Sequence, residues 1–345
     1  MQRCLELAAL GAGKVAPNPM VGAVLVHQDR IIGEGYHMQY GGPHAEVNAV
    51  RSVLPEDEPL IAQSVMYVTL EPCAHHGKTP PCADLIISRG IPEVVIGCRD
   101  PFTEVDGKGI SRLEAAGVRV VTGVLEAESR RLNKRFFTFH EQHRPYIILK
   151  WAESADGYMG RKGENVWISG EEARRWTHRL RSGESSILAG TGTVLTDNPS
   201  LNTRYWPGQN PVRVIIDRHG RIPASHHVLD GSQPTIVFSY SVRQPINDLQ
   251  WLVLEQGTDE LTQVLNHLYR QNILSVIVEG GQALLSAFIA QDFWDEAYVI
   301  RSHSTTLQHG ITAPQLAHAV QYDSRDLGAD TVTAYHHSHH SFFRP

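Results

Sequence analysis

Short apolar runs alternate with helical patterns along the first part of the chain. The polar pair Gln28-Asp29 separates two apolar runs, and this arrangement predicts a hairpin. A strand–helix alternation follows, which is typical of a sheet covered by helices. The predicted strands cover residues 21–26, 31–35, 65–70, 94–96 and 118–121, and the predicted helices cover residues 5–10, 44–53, 82–89 and 109–116.

A second alternation begins after the polar segment 141–145, which ends in Pro145. Because such a segment favours a linker, we predict two domains, residues 1–143 and residues 144–345. No motif of the first domain recurs in the second, so the chain is not a repeat. The predicted strands of the second domain cover residues 146–150, 186–189, 212–216, 235–238 and 275–278, and its predicted helices cover residues 171–181, 259–271 and 283–290.

Length and composition support two soluble α/β domains. The chain has 345 residues and a formal charge of −6, without a Lys/Arg-rich tract, so we expect no nucleic-acid partner. No run approaches the roughly 20 apolar residues that span a bilayer, and the start of the chain lacks a signal-peptide pattern. Four cysteines argue against a secreted disulfide scaffold. A cytoplasmic enzyme is the expectation.

His44, Cys73 and Cys82 form a set of potential zinc ligands, and Glu46 lies two residues after the histidine. One imidazole and two thiolates suit a zinc ion whose fourth position holds water, and that water becomes a nucleophile near neutral pH. A carboxylate nearby can move the protons. The alternative is a closed structural site, for which His75 and His76 are the nearest fourth ligands. Each residue alone is typical of an ordinary core.

Three motifs stand out in the first domain: Pro17-Asn18-Pro19-Met20-Val21-Gly22-Ala23-Val24, His44-Ala45-Glu46, and Thr69-Leu70-Glu71-Pro72-Cys73-Ala74-His75-His76-Gly77-Lys78-Thr79-Pro80-Pro81-Cys82. The eight residues between the two cysteines are informative, because the general deaminase signature has only two there. Together the motifs resemble one family, the bifunctional deaminase–reductases of riboflavin biosynthesis.

The resemblance implies a cytidine-deaminase-like α/β/α domain with a central mixed sheet. It implies that His44, Cys73 and Cys82 bind zinc and that Glu46 is the catalytic proton shuttle. Asn18 is then a substrate contact, and the alternative is a turn residue between prolines. His76 and Lys78 could reach a substrate phosphate, and a solvated loop is the equal alternative for both.

Two glycine-containing segments follow strands in the second domain, residues 190–199 and 278–281. Small residues let a backbone approach a phosphate closely. Neither segment is the dinucleotide fingerprint Gly-x-Gly-x-x-Gly, so each alone favours a tight turn. Segments 150–157, 165–169 and 193–204, however, resemble the reductase half of the same family, which implies a dihydrofolate-reductase-like α/β domain that uses NADPH.

The resemblance also implies roles for individual residues of the reductase half. Lys150 would position or protonate the ribose intermediate as a catalytic residue. Arg181 and Arg204 are candidate phosphate clamps, because a guanidinium group binds phosphate with two hydrogen bonds; each arginine alone is typical of a solvated surface. The implied NADPH contacts are Ala152, Trp167, Thr193, Asp197 and Gly281, and the implied substrate contacts are Asn165, Arg181, Leu201, Arg204 and Glu279.

We therefore expect a two-step enzyme. The first half would deaminate 2,5-diamino-6-(5-phosphoribosylamino)pyrimidin-4-one to 5-amino-6-(5-phosphoribosylamino)uracil. The second half would reduce the ribosyl group of that product to 5-amino-6-(5-phosphoribitylamino)uracil. The rivals are a nucleic-acid base deaminase, which the acidic balance disfavours, and a zinc-stabilised binding module without turnover. We expect a homo-oligomer, either a dimer or a tetramer.

The chain departs from the family pattern towards its C-terminus. Arg301-Ser302-His303-Ser304 stands where an Ala-Pro-Lys-like segment and a glycine pair are usual. The stretch His336-His337-Ser338-His339-His340 has a composition that binds metal ions. Its interruption by serine at the end of the chain instead predicts an exposed strand or tail.

Overall fold

A computed structural model describes residues 1–74, 80–241, 249–339 and 342. The chain divides into two compact units, Met1–Gln142 and a second that begins at His143. Each unit has its own sheet and its own buried core. Within these described ranges, no helix is both long and apolar enough to cross a membrane.

The first unit is built on a five-stranded mixed sheet in the order β2-β1-β3-β4-β5. Strand β1 pairs antiparallel with β2 and β3, whereas β3, β4 and β5 are parallel. Its strands are β1 (Gly22–His27), β2 (Arg30–Tyr36), β3 (Val65–Leu70), β4 (Glu93–Cys98) and β5 (Arg119–Thr122). Its helices are α1 (Gln2–Ala9), α2 (Ala45–Arg51), α3 (Cys82–Ser88), α4 (Lys108–Ala115), α5 (Glu126–Leu132) and α6 (Lys134–Gln142), with a 3-10 segment at Pro55–Gln63.

Burial of the central strands explains their composition. Strand β3 is predicted residue for residue, because its β-branched and apolar side chains pack on both faces of the sheet. Met66 and Val68 are fully buried, and Ala49 of α2 and Ile86 of α3 join the same core. The core therefore fixes the end of β3 relative to the starts of α2 and α3.

The second unit is built on a nine-stranded sheet in the order β10-β9-β8-β7-β11-β6-β12-β14-β13. Its strands are β6 (Tyr146–Glu153), β7 (Ser186–Gly190), β8 (Val212–Ile216), β9 (Thr235–Ser239), β10 (Leu249–Val253), β11 (Ser275–Val278), β12 (Glu296–Ser302), β13 (Ala319–Leu327) and β14 (Asp330–His337). Its helices are α7 (Glu171–Ser182), α8 (Thr191–Asp197), α9 (Glu260–Arg270) and α10 (Gln282–Ala290), with a 3-10 turn at His227–Leu229.

Strands β6 to β12 of this sheet are parallel, and β14 and β13 complete it as an antiparallel pair. The central strands are apolar throughout; Ile147, Leu188, Val214 and Val276 are all buried in one core cluster. Because parallel strands end at the same edge, the residues that follow β6, β7, β8 and β11 lie near one another.

Several elements were not predicted from the sequence. They are α5, α6, α8, β10, β12, β13 and β14. For the C-terminal histidines an exposed strand or tail was predicted; His336 and His337 do lie on a strand, β14, but the prediction of exposure is wrong because both are buried. At the family departure, Arg301 of β12 donates to Glu153 from Nε at 2.7 Å, so the neighbouring strands β6 and β12 are joined there by an ion pair.

Candidate active sites

The three predicted zinc ligands come together in the first unit. His44 is the residue immediately before α2, Cys82 is the first residue of α3, and Cys73 follows β3 by three residues. His44 Nδ1 lies 3.6 Å from Cys73 Sγ and 3.4 Å from Cys82 Sγ. The ligand atoms of all three lie within 4.8 Å of one another.

These spacings fit a tetrahedral zinc ion. With Zn–S near 2.3 Å and Zn–N near 2.0 Å, tetrahedral angles require about 3.5 Å between the sulfur and nitrogen atoms. Both measured distances from His44 Nδ1, 3.6 and 3.4 Å, agree with this value. One imidazole and two thiols are also a donor set that zinc prefers. Among the described residues, no fourth histidine or cysteine joins the group, and His75 and His76 lie outside the described ranges.

Glu46 lies in the first turn of α2, and only 3% of its surface is exposed. Burial raises the pKa of its carboxyl, an effect that His44 partly opposes. Such a carboxyl takes up a proton more readily than an exposed glutamate. The Cys73 thiol behaves in the opposite way, because hydrogen bonds, first from the Cys82 thiol and then from His44, lower its pKa to about 4. Cys73 is thus prepared to act as a thiolate ligand.

Glu71, which the sequence motifs did not single out, fixes the segment that carries Cys73. Its buried carboxylate accepts N–H bonds from Asp100 (3.3 Å), Gly107 (3.0 Å), Gly109 (2.9 Å) and Ile110 (3.2 Å). Gly109 is required at this contact, because a Cβ there would stand 2.0 Å from the Pro72 carbonyl oxygen. The start of α4 is therefore joined directly to the residues before Cys73.

Asn18 reaches this site through His37, a residue that sequence reasoning missed. His37 Nδ1 lies 3.0 Å from the Pro43 carbonyl oxygen, so Nδ1 carries the proton and Nε2 accepts from Asn18 Nδ2 at 3.2 Å. The ring of His37 stands edge-on to that of His44, with centroids 5.5 Å apart. The hydrogen bond to His37 engages Asn18 Nδ2, and the amide oxygen takes no part in it. His76 and Lys78, the two residues predicted to contact the substrate phosphate, lie outside the described residues.

Lys150, Arg181 and Glu279 form a buried charged cluster in the second unit. Arg181 donates from Nε and Nη2 to the two Glu279 oxygens at 2.6 and 2.7 Å, and Lys150 Nζ lies 3.8 Å from Oε2. Burial lowers the pKa of Lys150. Burial alone would raise the pKa of Glu279, but Arg181 and Lys150 outweigh it, and this pKa falls to about 2.

The predicted phosphate clamps differ in this structure. The Arg181 fork is filled by Glu279, and its Nη1 donates to the Asn202 carbonyl oxygen at 3.0 Å. Arg204 is exposed and donates to Asn202 Oδ1 at 2.8 Å. The Arg204 guanidinium is thus exposed to a ligand in solvent, whereas the Arg181 guanidinium is already bound by Glu279 and Asn202.

Two other predicted substrate contacts have contrasting environments. Leu201 is buried with a φ of 48°, and Asn165 is exposed. Buried His178, which was not predicted, belongs to the same cluster electrostatically. Its pKa is lowered to about 4 by burial and by Arg181 and Arg204. Its Nδ1 has no hydrogen-bond partner among the described residues.

A cavity of about 530 Å³ opens at the carboxyl ends of β7, β8 and β11. Thr193 and Gly281, two predicted NADPH contacts, both line it. A Cβ added at Gly192 would meet no heavy atom within 4 Å, so bare backbone faces this space. Arg218 and Arg221, which were not predicted, line it as well. Arg218 is paired with Glu260 at 2.6 Å, so the open backbone and Arg221 are the features that fit a phosphate-bearing cofactor such as NADPH.

The remaining predicted NADPH contacts do not line this cavity in the described part of the chain. Ala152 packs on β6 against Ala173, Ile300 and Val332. Trp167 is 64% exposed, with the Arg174 guanidinium 4.5 Å from its ring centroid, and Asp197 is exposed at the end of α8. Arg218 and Arg221 could have been found from the sequence, because both lie in the segment that follows the predicted strand 212–216. Ligands bind beyond the carboxyl ends of such strands.

Fold and sites together define a zinc-dependent deaminase joined to a reductase. Two family profiles match the chain: the cytidine and deoxycytidylate deaminase zinc-binding region over residues 1–98, and the RibD C-terminal domain over residues 145–302. The riboflavin biosynthesis protein RibD of Aquifex aeolicus is 40% identical over 87% of this chain and 85% of its own. RibD of Escherichia coli is 36% identical over 87% of this chain and 85% of its own length.

Solved structures agree with this class. The diaminohydroxyphosphoribosylaminopyrimidine deaminase/5-amino-6-(5-phosphoribosylamino)uracil reductase of Thermotoga maritima has a TM-score of 0.88 and 37% identity, covering 97% of each chain. Acinetobacter baumannii RibD has a TM-score of 0.87 and 32% identity, again over 97% of each. The chain belongs to the RibD family of bifunctional deaminase–reductases of riboflavin biosynthesis. The expected fold, activities and two cofactors, zinc and NADPH, are confirmed.

Proposed function

We propose that residues 1–143 convert 2,5-diamino-6-(5-phosphoribosylamino)pyrimidin-4-one to 5-amino-6-(5-phosphoribosylamino)uracil, and that residues 144–345 reduce this product to 5-amino-6-(5-phosphoribitylamino)uracil. The observation that carries the proposal is the convergence of His44, Cys73 and Cys82 beside buried Glu46. The activities in the name of the Thermotoga protein, whose chain aligns over 97% of this one, support the choice of substrates.

In the deaminase site, His44, Cys73 and Cys82 would hold zinc, which when bound acts as a Lewis acid that lowers the pKa of water. Glu46 would pass one proton of the attacking water to the ring nitrogen beside the attacked carbon and the other to the departing amine nitrogen, so that ammonia leaves and a carbonyl remains. The raised pKa of Glu46 supports this role, because a shuttle must hold the proton between the two transfers.

Substrate contacts at the deaminase site are assigned to Asn18, His76 and Lys78. The hydrogen bond from Asn18 Nδ2 to His37 Nε2 at 3.2 Å directs the Asn18 amide, and its oxygen would accept from a pyrimidine N–H group. Because His37 Nδ1 is bound to Pro43 O, the tautomer that orients Asn18 is fixed. His76 and Lys78 would meet the substrate phosphate.

In the reductase site, NADPH supplies the hydride when it is bound. Thr193 and Gly281 at the cavity, with Ala152, Trp167 and Asp197, are assigned to hold it. Lys150, whose burial lowers its pKa, would position the ribose or give it a proton as the carbon is reduced. Arg204 would hold the substrate phosphate, and Asn165 and Leu201 would contact the substrate. Arg181 orients Glu279 with two hydrogen bonds.

The deaminase assignment is tested with Glu46→Gln. We expect deamination to fall by about 10²–10⁴-fold, since a positioned acid–base group contributes about that much. NADPH oxidation with the deaminated compound should be unchanged. The exposed Glu114, on α4, provides the control Glu114→Gln, which should retain both activities. Undiminished deamination by Glu46→Gln would refute the proton-shuttle role.

The reductase assignment is tested with Arg204→Ala. Loss of a charge-assisted phosphate contact should raise KM for the deaminated substrate by about 10–100-fold and change kcat little. Arg325→Ala is the control, since Arg325 is an exposed arginine of β13. If the wild-type protein does not oxidise NADPH with this substrate, the second activity is excluded.

The cellular setting follows from the cysteines. All four are free thiols, and two are the proposed zinc ligands, which a reducing compartment preserves. We therefore place the enzyme in the cytoplasm and expect it to form a homo-oligomer. Light scattering on the zinc-loaded protein tests the second statement, and a mass of one chain would contradict it.

A further inference from the structure

A second group of potential metal ligands lies in the reductase unit. Asp292, His318 and His337 place one carboxylate oxygen and two imidazole nitrogens within 4.8 Å of one another. Asp292 Oδ1 lies 3.0 Å from His318 Nδ1 and 3.3 Å from His337 Nε2. One carboxylate oxygen thus stands between two imidazoles that come from different segments of the chain.

The backbone holds these three residues in place, and the Asp292 N–H donates to the Ile289 carbonyl oxygen at 3.1 Å. His337 is the last residue of β14 and pairs with Ala319 of β13, so His318, just before that strand, is its neighbour. The Ser338 N–H donates to the His318 carbonyl oxygen at 2.7 Å, and the His337 N–H donates to the Asp295 carbonyl oxygen at 3.0 Å. The ligand atoms are therefore gathered by main-chain hydrogen bonds and do not depend on long flexible side chains.

The ring of His337 is also oriented. Its side chain is 6% exposed, and the ring packs against Trp294 with centroids 4.9 Å apart. Nδ1 faces the backbone N–H of His339 at 3.3 Å, so Nε2 is the nitrogen directed at Asp292. Ion binding at Nε2 would move the ring proton to Nδ1. The interaction given up would be this long hydrogen bond.

A further imidazole is near. The His339 ring centroid lies 5.0 Å from that of His337 and 5.7 Å from that of His318, and the His339 side chain is at the exposed side of the group. Asp292 and His318 are exposed as well, so an ion can enter from solvent. Buried His337 forms the floor of the group, and the His339 ring stands beside the three ligand atoms that lie within 4.8 Å of one another without joining them.

We propose that Asp292, His318 and His337 form a second metal site, which binds a divalent transition ion of the Zn²⁺, Ni²⁺ or Cu²⁺ type and joins the turn after α10 to the β13–β14 pair. Two imidazoles and one carboxylate suit these ions, and the carboxylate cancels one of the two positive charges. The site contains no thiolate, in contrast to the group around His44. Its occupancy is independent of the proposed catalysis.

The test counts zinc ions per chain in the full-length protein. After equilibrium dialysis against buffered micromolar Zn²⁺, we expect two ions per wild-type chain and one per chain in His318→Gln and in Asp292→Asn. Both substituted residues are exposed, so these variants should fold. Loss of a direct ligand should weaken the second site by about 100-fold or more, since even outer partners cost about 10–100-fold. His309→Gln, at an exposed histidine outside the group, should retain two ions.

Co²⁺ added to the protein that already carries one zinc ion distinguishes the two sites. A cobalt ion bound by Asp292, His318 and His337 should show ligand-field bands without a sulfur-to-metal charge-transfer band, and His318→Gln should abolish those bands. NADPH oxidation by His318→Gln should equal that of the wild type, which separates the result from any failure of the reductase assignment. One zinc ion per wild-type chain, or two in His318→Gln, would overturn the proposal.

Discussion

The ion pair between Arg181 and Glu279 makes a quantitative prediction about the reductase unit. Their side chains are only 12% and 7% exposed, and both carboxylate oxygens are bound by the guanidinium. Burial would raise the pKa of Glu279, but Arg181 and Lys150 outweigh it and bring this pKa to about 2. The native carboxyl therefore stays charged at pH values where the unfolded chain protonates it.

The size of the effect follows from linkage. A fall from 4.5 to about 2 corresponds to about 3 kcal/mol of stability, at about 1.36 kcal/mol for each factor of ten. Because the folded pKa is lowered, this stability is fully present above 4.5 and is lost as the pH falls towards 2. The same relation leaves about 2 kcal/mol at pH 3.5. The contribution of the charged Glu279 should therefore shrink by about 1 kcal/mol between pH 7 and pH 3.5.

Glu279→Gln isolates this contribution. All six tryptophans lie in the second unit, so urea unfolding followed by tryptophan fluorescence reports on that unit. We expect the variant to be less stable than the wild type at pH 7 by about 3–5 kcal/mol, because Arg181 and Lys150 keep buried charges without their partner. The difference in stability between the variant and the wild type should narrow by about 1 kcal/mol at pH 3.5.

The control is Glu255→Gln at an exposed position, which should shift stability by at most about 0.5 kcal/mol at both pH values. The reasoning concerns the pH dependence and not the size of the gap alone. A gap between wild type and Glu279→Gln that is equal at pH 7 and pH 3.5 would show that the Glu279 charge does not stabilise the fold.

Three further predictions concern other residues. Glu71→Gln places an N–H₂ group against backbone N–H donors, so the free energy of unfolding of the first unit should fall by about 2–4 kcal/mol. Faster hydrogen exchange at Gly107 and Gly109 would report this loss. Burial raises the pKa of Asp100 to about 7, so the charged form of Asp100 destabilises the fold as the pH rises from about 3.8 through 7. Asp100→Asn should therefore increase the free energy of unfolding by about 2–4 kcal/mol at pH 8 and change it little at pH 4. Hydrogen exchange measures this difference as well. Arg221→Ala should raise KM for NADPH about tenfold and leave KM for NADH unchanged, since Arg221 lines the cavity and is expected to bind the 2′-phosphate, which NADH lacks.

Local patterns were sufficient for the elements that carry the zinc ligands. Strand β3 is a continuous β-branched run, and α2 and α3 have clear helical spacing. The spacing of the motifs was then enough to predict that His44, Cys73 and Cys82 share one zinc site, and the order of the strands in the sheet was not needed. Glu71 was missed because its four N–H partners lie 29 to 39 residues further along the chain, beyond the reach of any local pattern.

The end of the nine-stranded sheet was missed for a different reason. Strand β13 is largely exposed, and its sequence alternates polar and apolar residues irregularly across a bulge. Such a strand is defined by its pairing with β14 and not by its own hydrophobicity. The same pairing buries His337, which by composition resembled a tail. Tertiary pairing therefore determined this region, including the second ligand group.

Glu46 and Glu279 show how one residue type serves two purposes in this chain. Both carboxyl groups are buried, at 3% and 7% exposure, so burial raises the pKa of each. At Glu46 the opposing charge of His44 is too small to reverse this, and the carboxyl is prepared to hold a proton. At Glu279 the bidentate arginine and Lys150 reverse it. Because the two pKa values are shifted in opposite directions, Glu46 suits proton transfer and Glu279 remains a charged carboxylate. Glu279 is therefore expected to bind and orient, and the proton in the reduction must come from another group, for which Lys150 is the nearest candidate.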